Sequence, residues 1–215
     1  MGDTGGMTGR STPAVCPTVD PVQAMTTVRE RVLEGALACV GRFGLAKTTV
    51  DDVAKESGVS RATIYRYFPG GKDQLTAEVV AWEMGRFFRR LGEAVADSRD
   101  LAALLEEALG FARRAVGAHE VLQRVLATEP DRLLPLITVE AERVLRLIAG
   151  FLVPYLERER DAGRLRNGTD LDAAADYIAR MFLSLIGSPG CWNLEDPAEV
   201  RALVRGQLLA GVLRP

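Results

Sequence analysis

The sequence predicts an all-α protein, and three observations support that fold class. Apolar residues recur at helical spacing over most of the chain after residue 25. Caps, glycines and prolines divide this pattern into segments of ordinary helical length. No segment shows the convincing apolar–polar alternation of a β-strand. With 215 residues, the chain is long enough for one large domain or for a small domain joined to a medium one.

The N-terminal segment is predicted to be a disordered tail that precedes the first helix. Residues 1–24 are rich in glycine, threonine and proline, and they lack the continuous apolar core of a signal peptide. From about residue 26 to residue 43, apolar side chains recur on one face of a helix. Gly44 is a typical C-terminal break for that helix.

Two short helices are predicted next. Thr48 or Thr49 caps the second helix, and Gly58 ends it. Ser60 caps the third helix, which stops at a Pro-Gly-Gly run that begins with Pro69. Two short helices joined by a tight, glycine-containing turn are typical of a helix-turn-helix.

The rest of the chain is predicted to continue as helices. Asp196 followed by a proline is a good start for the last helix, and Pro154 is expected to kink the helix that contains it. The lone histidine, His119, is expected at a helix boundary, as an N-cap or a surface group. The predicted helices of this part are 72–96, 100–117, 119–128, 133–160, 170–187 and 197–213.

The charge of the chain is unevenly distributed. Its formal net charge is −2, but residues 25–72 carry a net +3 and residues 73–215 a net −4. A basic end on an acidic body favours contact between that end and a polyanion.

The stretch from Gly58 to Phe68, GVSRATIYRYF, places large polar side chains on one short helix. Val53, Val59 and Ile64 are predicted to form a buried seam between the second and third helices, so the polar side chains point outward. The major groove of B-DNA admits one α-helix and offers base edges to it. The third helix is therefore predicted to bind double-stranded DNA.

The run TTVDDVAKESGVSRATIYRYFPGGKDQL resembles the N-terminal DNA-binding region of the TetR family of transcriptional regulators, over roughly residues 26–80. The matching elements are the Thr-Thr-Val start, Ala54, the Gly-Val-Ser turn, the Ile-Tyr-x-Tyr-Phe block and a lysine that opens the fourth helix. This chain has one residue more than many members between the aromatic block and the lysine. The resemblance implies a helix-turn-helix DNA-binding domain at 25–71 and a larger helical ligand-binding and dimerisation domain at 72–215.

The resemblance also implies roles for single residues. Base contacts would concentrate at the front of the third helix, and the tyrosines, a threonine and the lysine would contact phosphates. Arg61 could instead be a solvated surface residue, and Tyr65 and Tyr67 could be half-buried packing residues. The implied DNA-binding residues are Thr48, Thr49, Ser60, Arg61, Ala62, Thr63, Tyr65, Arg66, Tyr67 and Lys72.

In the family, the remaining helices hold a ligand and pair two copies of the chain. The resemblance implies a homodimer on a palindromic operator, and a repressor that a small apolar or amphipathic ligand releases. Each residue alone could be plain core, and the last two helices could simply close the monomer. The implied pocket residues are Trp82, Phe88, Phe111, Leu126 and Phe151. The implied dimer residues are Ala174, Ile178, Phe182, Leu185, Val200, Leu203, Val204 and Leu208.

Other classes of function are disfavoured by what the sequence lacks. No apolar stretch approaches the ~18 residues of a membrane span, and three widely spaced cysteines suit a reducing cytoplasm. A lone histidine is not a metal site, and no cofactor is expected. No nucleophile–base constellation or phosphate loop stands out. An enzyme, an all-α interaction protein without DNA binding, and a regulator without a ligand are the alternatives.

Overall fold

The computed structural model describes residues 21–214, with side chains from residue 28 onward. The first helix, α1, is Pro21–Lys47. It begins five residues before the predicted start, since proline is well tolerated in the first turn of a helix. The predicted tail, 1–24, therefore overlaps α1 in its last four residues, and its first twenty lie outside the described residues.

The next two helices confirm the short pair that the sequence predicts. They are α2, Val50–Ser57, and α3, Arg61–Tyr67. Gly44 interrupts α1 with a φ of 82°, and Gly58 follows α2 with a φ of 65°. Both values lie in the left-handed region that glycine occupies without steric cost, so each glycine turns the chain where the pattern predicts a break.

The residues up to Gly70, which contain α1 to α3, are here called the head, and residues 71–214 the body. The body contains six further α-helices among the described residues. Their bounds agree with the predicted ones within a few residues, except at the C-terminus. The long α7 starts earlier than expected because Pro130 occupies its first turn. It continues through Pro154 as one helix, so the expected kink does not interrupt it. The helices are α4, Gly71–Ala94; α5, Leu101–Gly117; α6, Glu120–Thr128; α7, Pro130–Asp161; α8, Leu171–Gly187; and α9, Pro197–Leu203.

The prediction of one helix over 197–213 is wrong in its second half. After α9 the chain forms a π-helical turn, Val204–Leu208, in which the Leu209 amide donates to the Val204 carbonyl (2.9 Å). The chain then forms a single antiparallel bridge between Leu165 and Leu213. The Arg166 guanidinium donates to two carbonyls of this last segment, which offers them an alternative to helical hydrogen bonds.

The buried apolar residues form three clusters. The first, here the head cluster, joins α1, α2, α3 and the start of α4, and it includes Ile64 and Phe68. The second, the body cluster, joins α4, α5, α7, α8 and α9. The third, the junction cluster, lies between them and consists of Val40, Leu45, Val125 and Leu133. Because α1 contributes to both the head and the junction clusters, it is the helix that connects the two parts.

His119 joins α4 to α6 and confirms the expected N-cap. Its Nδ1 accepts a hydrogen bond from the Leu122 amide (3.1 Å), and its Nε2 lies 3.1 Å from Glu83 Oε2 on α4. The bond to Glu83 raises the pKa of His119 and outweighs the opposing effect of burial. Burial acts to raise the pKa of Glu83, but His119 and Arg86 outweigh it, and the net direction is downward.

We predict that His119→Asn lowers thermal stability in a pH-dependent way. Asparagine still caps a helix but carries no positive charge toward Glu83. Since the folded pKa of His119 is raised, the contribution of the pair is complete below the ordinary value of 6.5 and is lost as the pH rises through the folded value. Since the pKa of Glu83 is lowered, the contribution of the pair to stability is also lost when the pH falls through the folded pKa of Glu83.

The measurement is the melting temperature of both proteins from acidic to alkaline pH. The deficit of the variant should be larger at about pH 5 to 6 than above the His119 pKa, because the charged ring attracts Glu83 more strongly, whereas the cap at Nδ1 and a neutral bond from Nε2 to Glu83 remain in the uncharged ring. A deficit that stays constant across neutral and alkaline pH would contradict an ionised pair.

Candidate nucleic-acid interface

Hydrogen bonds at the N-termini of α2 and α3 fix where each helix begins. The Thr49 hydroxyl accepts from the Asp52 amide (3.2 Å), and the Asp52 carboxylate accepts from the Thr49 amide (3.0 Å), which completes a capping box. The bonds from Thr49 lower the pKa of Asp52. Ser60 caps α3 by accepting from the Thr63 amide (3.2 Å). These local caps set the two helices on either side of the Gly58 turn.

A buried seam holds α3 against the rest of the head. Val53, Ile64 and Phe68 are fully buried, and Val59 is 7% exposed, so the predicted seam is confirmed. Phe68, just after α3, extends the seam toward α1 and α4. With its apolar residues held inward, α3 presents its remaining side chains to solvent.

The outward face of α3 contains the residues that the sequence predicts for DNA. Ser60, Arg61, Ala62 and Arg66 are exposed, and Tyr65 is 43% exposed. The five lie within seven consecutive residues, from the N-cap Ser60 to Arg66 in the last turn of the helix. This arrangement offers hydroxyl, guanidinium and methyl groups to one external surface.

Thr63 and Tyr67 are half-buried and make contacts inside the head. The Thr63 hydroxyl lies 2.9 Å from that of Ser60. The Tyr67 ring packs against the head cluster, and the Arg66 guanidinium lies 5.5 Å from its centroid. The interpretation as a half-buried packing residue therefore applies to Tyr67, whose ring contacts the head cluster, better than to Tyr65, which is exposed.

Arg61 is paired with an acid of α2. Its Nε lies 2.8 Å from Asp51 Oδ1, and the two side chains remain 60% and 52% exposed. No local sequence signal predicts this pair, because the partners lie on different helices. The pair orients the guanidinium along the front of α3 while leaving most of it in solvent.

The two threonines before α2 have different environments. Thr48 is 7% exposed, and its hydroxyl donates to the Gly44 carbonyl (2.7 Å). Thr49 is exposed at the N-cap. The Thr48 alternative is therefore corrected, because its side chain is buried within the protein. The Thr49 hydroxyl also donates a hydrogen bond, to Asp52 Oδ2 (2.6 Å), but that side chain stays exposed. Thr49 is the threonine of this pair that faces solvent.

Lys72 lies in the first turn of α4, where a positive helix end and a positive side chain coincide. Its Nζ donates to the Ala46 carbonyl (2.6 Å), and the side chain is half-buried. The lysine thus connects α4 to the turn before α2. It retains two further donor hydrogens for an external anion.

The other cations of the head divide into paired and free groups. Arg42 forms a bidentate pair with Glu56 (2.8 and 3.1 Å), and Arg29 pairs with Glu78. No ion pair of the described side chains includes Lys47, Lys55 or Arg66. These three exposed cations add positive potential around α2 and α3.

A small apolar cavity, open to solvent on one side, lies in the body between α4, α5, α7 and α8. Phe88 and Phe151, two of the five residues that the resemblance implies for a pocket, line it. Trp82, Phe111 and Leu126 do not: Trp82 packs on the head cluster, Phe111 against Phe87, and Leu126 on the junction cluster. The remaining wall includes Leu105, Ala108, Ile148, Leu152 and Phe182.

The residues predicted for the dimer are buried within the single chain. All eight are at most 8% exposed and belong to the body cluster, and Phe182 also lines the cavity. They are Ala174, Ile178, Phe182, Leu185, Val200, Leu203, Val204 and Leu208. The prediction that they face a partner is therefore wrong, because their own chain already covers them. Tyr177 and Met181 are the large apolar residues that α8 leaves exposed, at 42% and 37%.

The part of the chain that the structure describes shows no cluster of three or more histidine, cysteine or acidic side chains able to hold a metal ion. Among the helices within residues 21–214, none combines the length and the apolarity that a membrane crossing requires.

The chain is similar to known proteins both in sequence and in fold. Residues 32–79 match the model of the bacterial regulatory proteins of the tetR family. An uncharacterised HTH-type transcriptional regulator of Mycobacterium bovis is 30% identical over 106 residues, which are 46% of this chain and 54% of that protein. YdgC of Bacillus subtilis, with the same description, is 25% identical over 86% of this chain and 92% of its own. The chain spans about half the length of the first of these relatives.

Solved structures share the fold over most of the chain. GusR of Salmonella enterica superposes with a TM-score of 0.61 at 20% identity, covering 90% of this chain and 97% of the other. SmeT, solved with triclosan and described as the repressor of a multidrug efflux pump of Stenotrophomonas maltophilia, gives 0.58 at 22% identity, covering 87% and 92%. The segment that contains the capped helices α2 and α3 and their buried seam is thus the part of the chain that matches the tetR family of bacterial regulatory proteins.

Proposed function

We propose that this protein is a cytoplasmic, homodimeric transcriptional regulator that binds a palindromic operator and is released from it by a small apolar ligand, as a repressor. The observation that carries the proposal is the division of α3 into two faces. Ile64 is fully buried, while Ser60, Arg61, Tyr65 and Arg66 are exposed on the same helix. A surface helix with this polar face fits the major groove of double-stranded DNA.

The residues at the front of α3 are assigned to base edges. Arg61 can donate two hydrogen bonds to guanine, and Ala62 and the Thr63 methyl can contact thymine. Thr49, Tyr65, Tyr67, Arg66 and Lys72 are assigned to phosphates on either side of the groove. Lys47 and Lys55 contribute to the attraction at longer range.

A homodimer is proposed because α3 alone is small. Its seven residues reach few base pairs, and two copies separated by one turn of DNA, about 34–36 Å, read a palindrome together. The exposed Tyr177 and Met181 lie four residues apart on one side of α8. This side of α8 replaces the buried residues as the proposed contact between copies.

The part of the proposed ligand that enters the cavity is uncharged and apolar. The cavity wall consists of aliphatic and aromatic side chains with one glycine, and it contains no titratable group. A carboxylate or an ammonium group inside it would lose hydration without gaining a partner. A charged end of an amphipathic ligand would therefore remain at the open side, near the exposed Leu147 and Phe151.

We predict that Arg61→Ala relaxes sequence preference at one position of each operator half-site. The loss of a bidentate contact to guanine reduces discrimination there by about 1–3 kcal/mol. The measurement is selection of bound duplexes from a random pool, for which the wild type should enrich a palindrome. Arg99→Ala, which removes an exposed arginine of the body paired with its neighbour Asp100, is the matched control.

If the Arg61→Ala protein enriches the same consensus as the wild type, the assignment of Arg61 to a base contact is wrong. A wild type that enriches no sequence at moderate salt would count against the regulator itself and favour an interaction protein.

We predict that Lys72→Gln weakens binding to all duplexes equally. Glutamine keeps a donor that can reach toward the Ala46 carbonyl, but it removes the charge. The slope of log affinity against log salt should fall in magnitude by about 0.9, the value for one phosphate contact. Fluorescence anisotropy with an operator and a random duplex over a salt series measures both effects. An unchanged slope would show that Lys72 serves only the Ala46 contact.

We predict that Gly92→Leu blocks the cavity. Gly92 lines it, and a Cβ added there meets no atom within 4 Å, so leucine should enter the space without displacing the backbone. Binding of the neutral fluorophore N-phenyl-1-naphthylamine should be lost while operator binding is kept. Gly85→Leu is the control, because Gly85 is on the same helix, is equally uncrowded and lies outside the cavity.

If Gly92→Leu binds the fluorophore as the wild type does, the proposed ligand site is wrong. Loss of helical signal in the variant but not in the control would indicate misfolding, and Gly92→Ala then provides the smaller change. Alanine has a higher helix propensity than the glycine that it replaces, so Gly92→Ala should not destabilise α4.

A further inference from the structure

The carboxylate of Glu129 contacts a turn that is more than eighty residues away in the sequence. Its Oε1 accepts a hydrogen bond from the Leu45 amide (2.9 Å), and its Oε2 accepts one from the Ala46 amide (2.7 Å). The Glu129 side chain is 17% exposed. Two amides bound to one ionised group make a strong, directional contact, because both hydrogen bonds are charge-assisted.

The turn is shaped to admit this carboxylate. Gly44 has a φ of 82°, and a Cβ built on it would lie 2.1 Å from Glu129 Oε1. Any side chain at position 44 would therefore occupy the place of the carboxylate as well as strain the backbone. The glycine does more than end the helical part of α1: it leaves the volume in which Glu129 binds.

The carbonyl groups of the same turn bind to the DNA-binding side of the molecule. The Gly44 carbonyl accepts from the Thr48 hydroxyl (2.7 Å), and the Ala46 carbonyl accepts from Lys72 (2.6 Å). Thr48 precedes the N-cap of α2 directly. The turn thus has its amides bound to the body and its carbonyls bound to the head.

Glu129 is also the residue at which α6 ends and α7 begins. Val125 on one side of it and Leu133 on the other are buried in the junction cluster. Farther along α7, Ile148 and Leu152 line the cavity. A displacement of α7 by a molecule in the cavity would therefore act on the residue that holds the turn.

Other contacts between α6 and α1 differ in kind from this one. Arg124 donates to the Gly41 carbonyl (2.6 Å), and Val121 packs against Gly41. Both contacts meet α1 within its helical part, before Gly44. Glu129 instead binds the backbone of the non-helical turn from which α2 starts, and the Leu45 side chain of that turn also lies in the junction cluster. Glu129 therefore has direct influence on the orientation of α2 and α3.

We propose that Glu129 is a positioning residue that couples the cavity to the DNA-binding helices. Its carboxylate holds the turn at residues 44–46 in the arrangement that presents Thr49 and Lys72 to DNA. Occupation of the cavity moves α7, weakens the two hydrogen bonds and loosens the turn. This inference rests on the proposed function, since it requires that the protein bind DNA and that the cavity bind a ligand.

The test uses the full chain and the variant Glu129→Gln. Glutamine has nearly the same shape, but it has one acceptor oxygen, no charge, and an NH₂ group directed at one of the two amides. Glu120→Gln is the matched control, because Glu120 is an exposed acid at the start of α6. A second variant, Glu129→Ala, removes both hydrogen bonds without placing a donor in the site.

The first measurement is hydrogen exchange at the Leu45 and Ala46 amides, which needs no DNA. Exchange should accelerate by roughly tenfold or more in both Glu129 variants and stay unchanged in Glu120→Gln. In the wild type, saturation with N-phenyl-1-naphthylamine should accelerate the same two amides. If the fluorophore binds and these amides keep their exchange rates, the proposed coupling is wrong.

The second measurement is the ratio of operator affinities without and with the fluorophore. This ratio should exceed one in the wild type and in Glu120→Gln, and it should fall toward one in Glu129→Gln, which still binds the fluorophore with its wild-type affinity. If Glu129→Gln shows the same ratio of operator affinities as the wild type, Glu129 makes a structural contact and does not couple the cavity to the DNA-binding helices. A wild type that binds no operator contradicts the proposed function instead, while the exchange data still test the turn.

Discussion

The burial of Ile64 and Phe68 is the interaction on which the presentation of α3 depends. A helix of seven residues is not stable alone in water, because too few hydrogen bonds compensate the entropy of its first turn. Tertiary packing must therefore stabilise α3, and both residues are fully buried against α1, α2 and α4. The same packing removes Ile64 and Phe68 from solvent. What remains outside is mainly polar, together with Ala62 and the amphipathic Tyr65, and that surface is the proposed DNA contact.

The position of α3 relative to the body depends in turn on α1. This helix carries Val32 and Leu33 in the head cluster and Val40 and Leu45 in the junction cluster. A displacement at one end of such a helix also displaces the other end, because the hydrogen-bonded part resists bending. The left-handed Gly44 is the point at which that rigidity stops. The contacts at this break therefore decide how α2 and α3 are oriented, and Glu129 supplies the contacts from the body.

Local signals in the sequence predicted the parts of the molecule that local chemistry determines. The caps at Thr49, Ser60 and His119 and the break at Gly58 each depend on residues within four positions, so the helices follow from the sequence. The assignment of eight residues to a dimer contact failed for a different reason. Helical periodicity shows that Ile178 and its neighbours are buried, but it does not distinguish burial against the same chain from burial against a partner. Contacts such as that of Glu129 with the Leu45 amide join positions that are distant in the sequence, and no periodic pattern in the sequence predicts them.

The Arg61–Asp51 pair bears on how a recognition helix can bind DNA selectively. Both side chains are more than half exposed, and such a surface pair contributes only about 0–1 kcal/mol to stability. Exchange of the aspartate for the O6 and N7 atoms of guanine therefore costs little, whereas a matched bidentate contact is worth about 1–3 kcal/mol of discrimination. The pair also restricts the rotamers of Arg61 before DNA arrives, so less side-chain entropy remains to be lost on binding. In the proposed complex, Asp51 thus favours selectivity, because it keeps the Arg61 guanidinium oriented and gives way to a matching base.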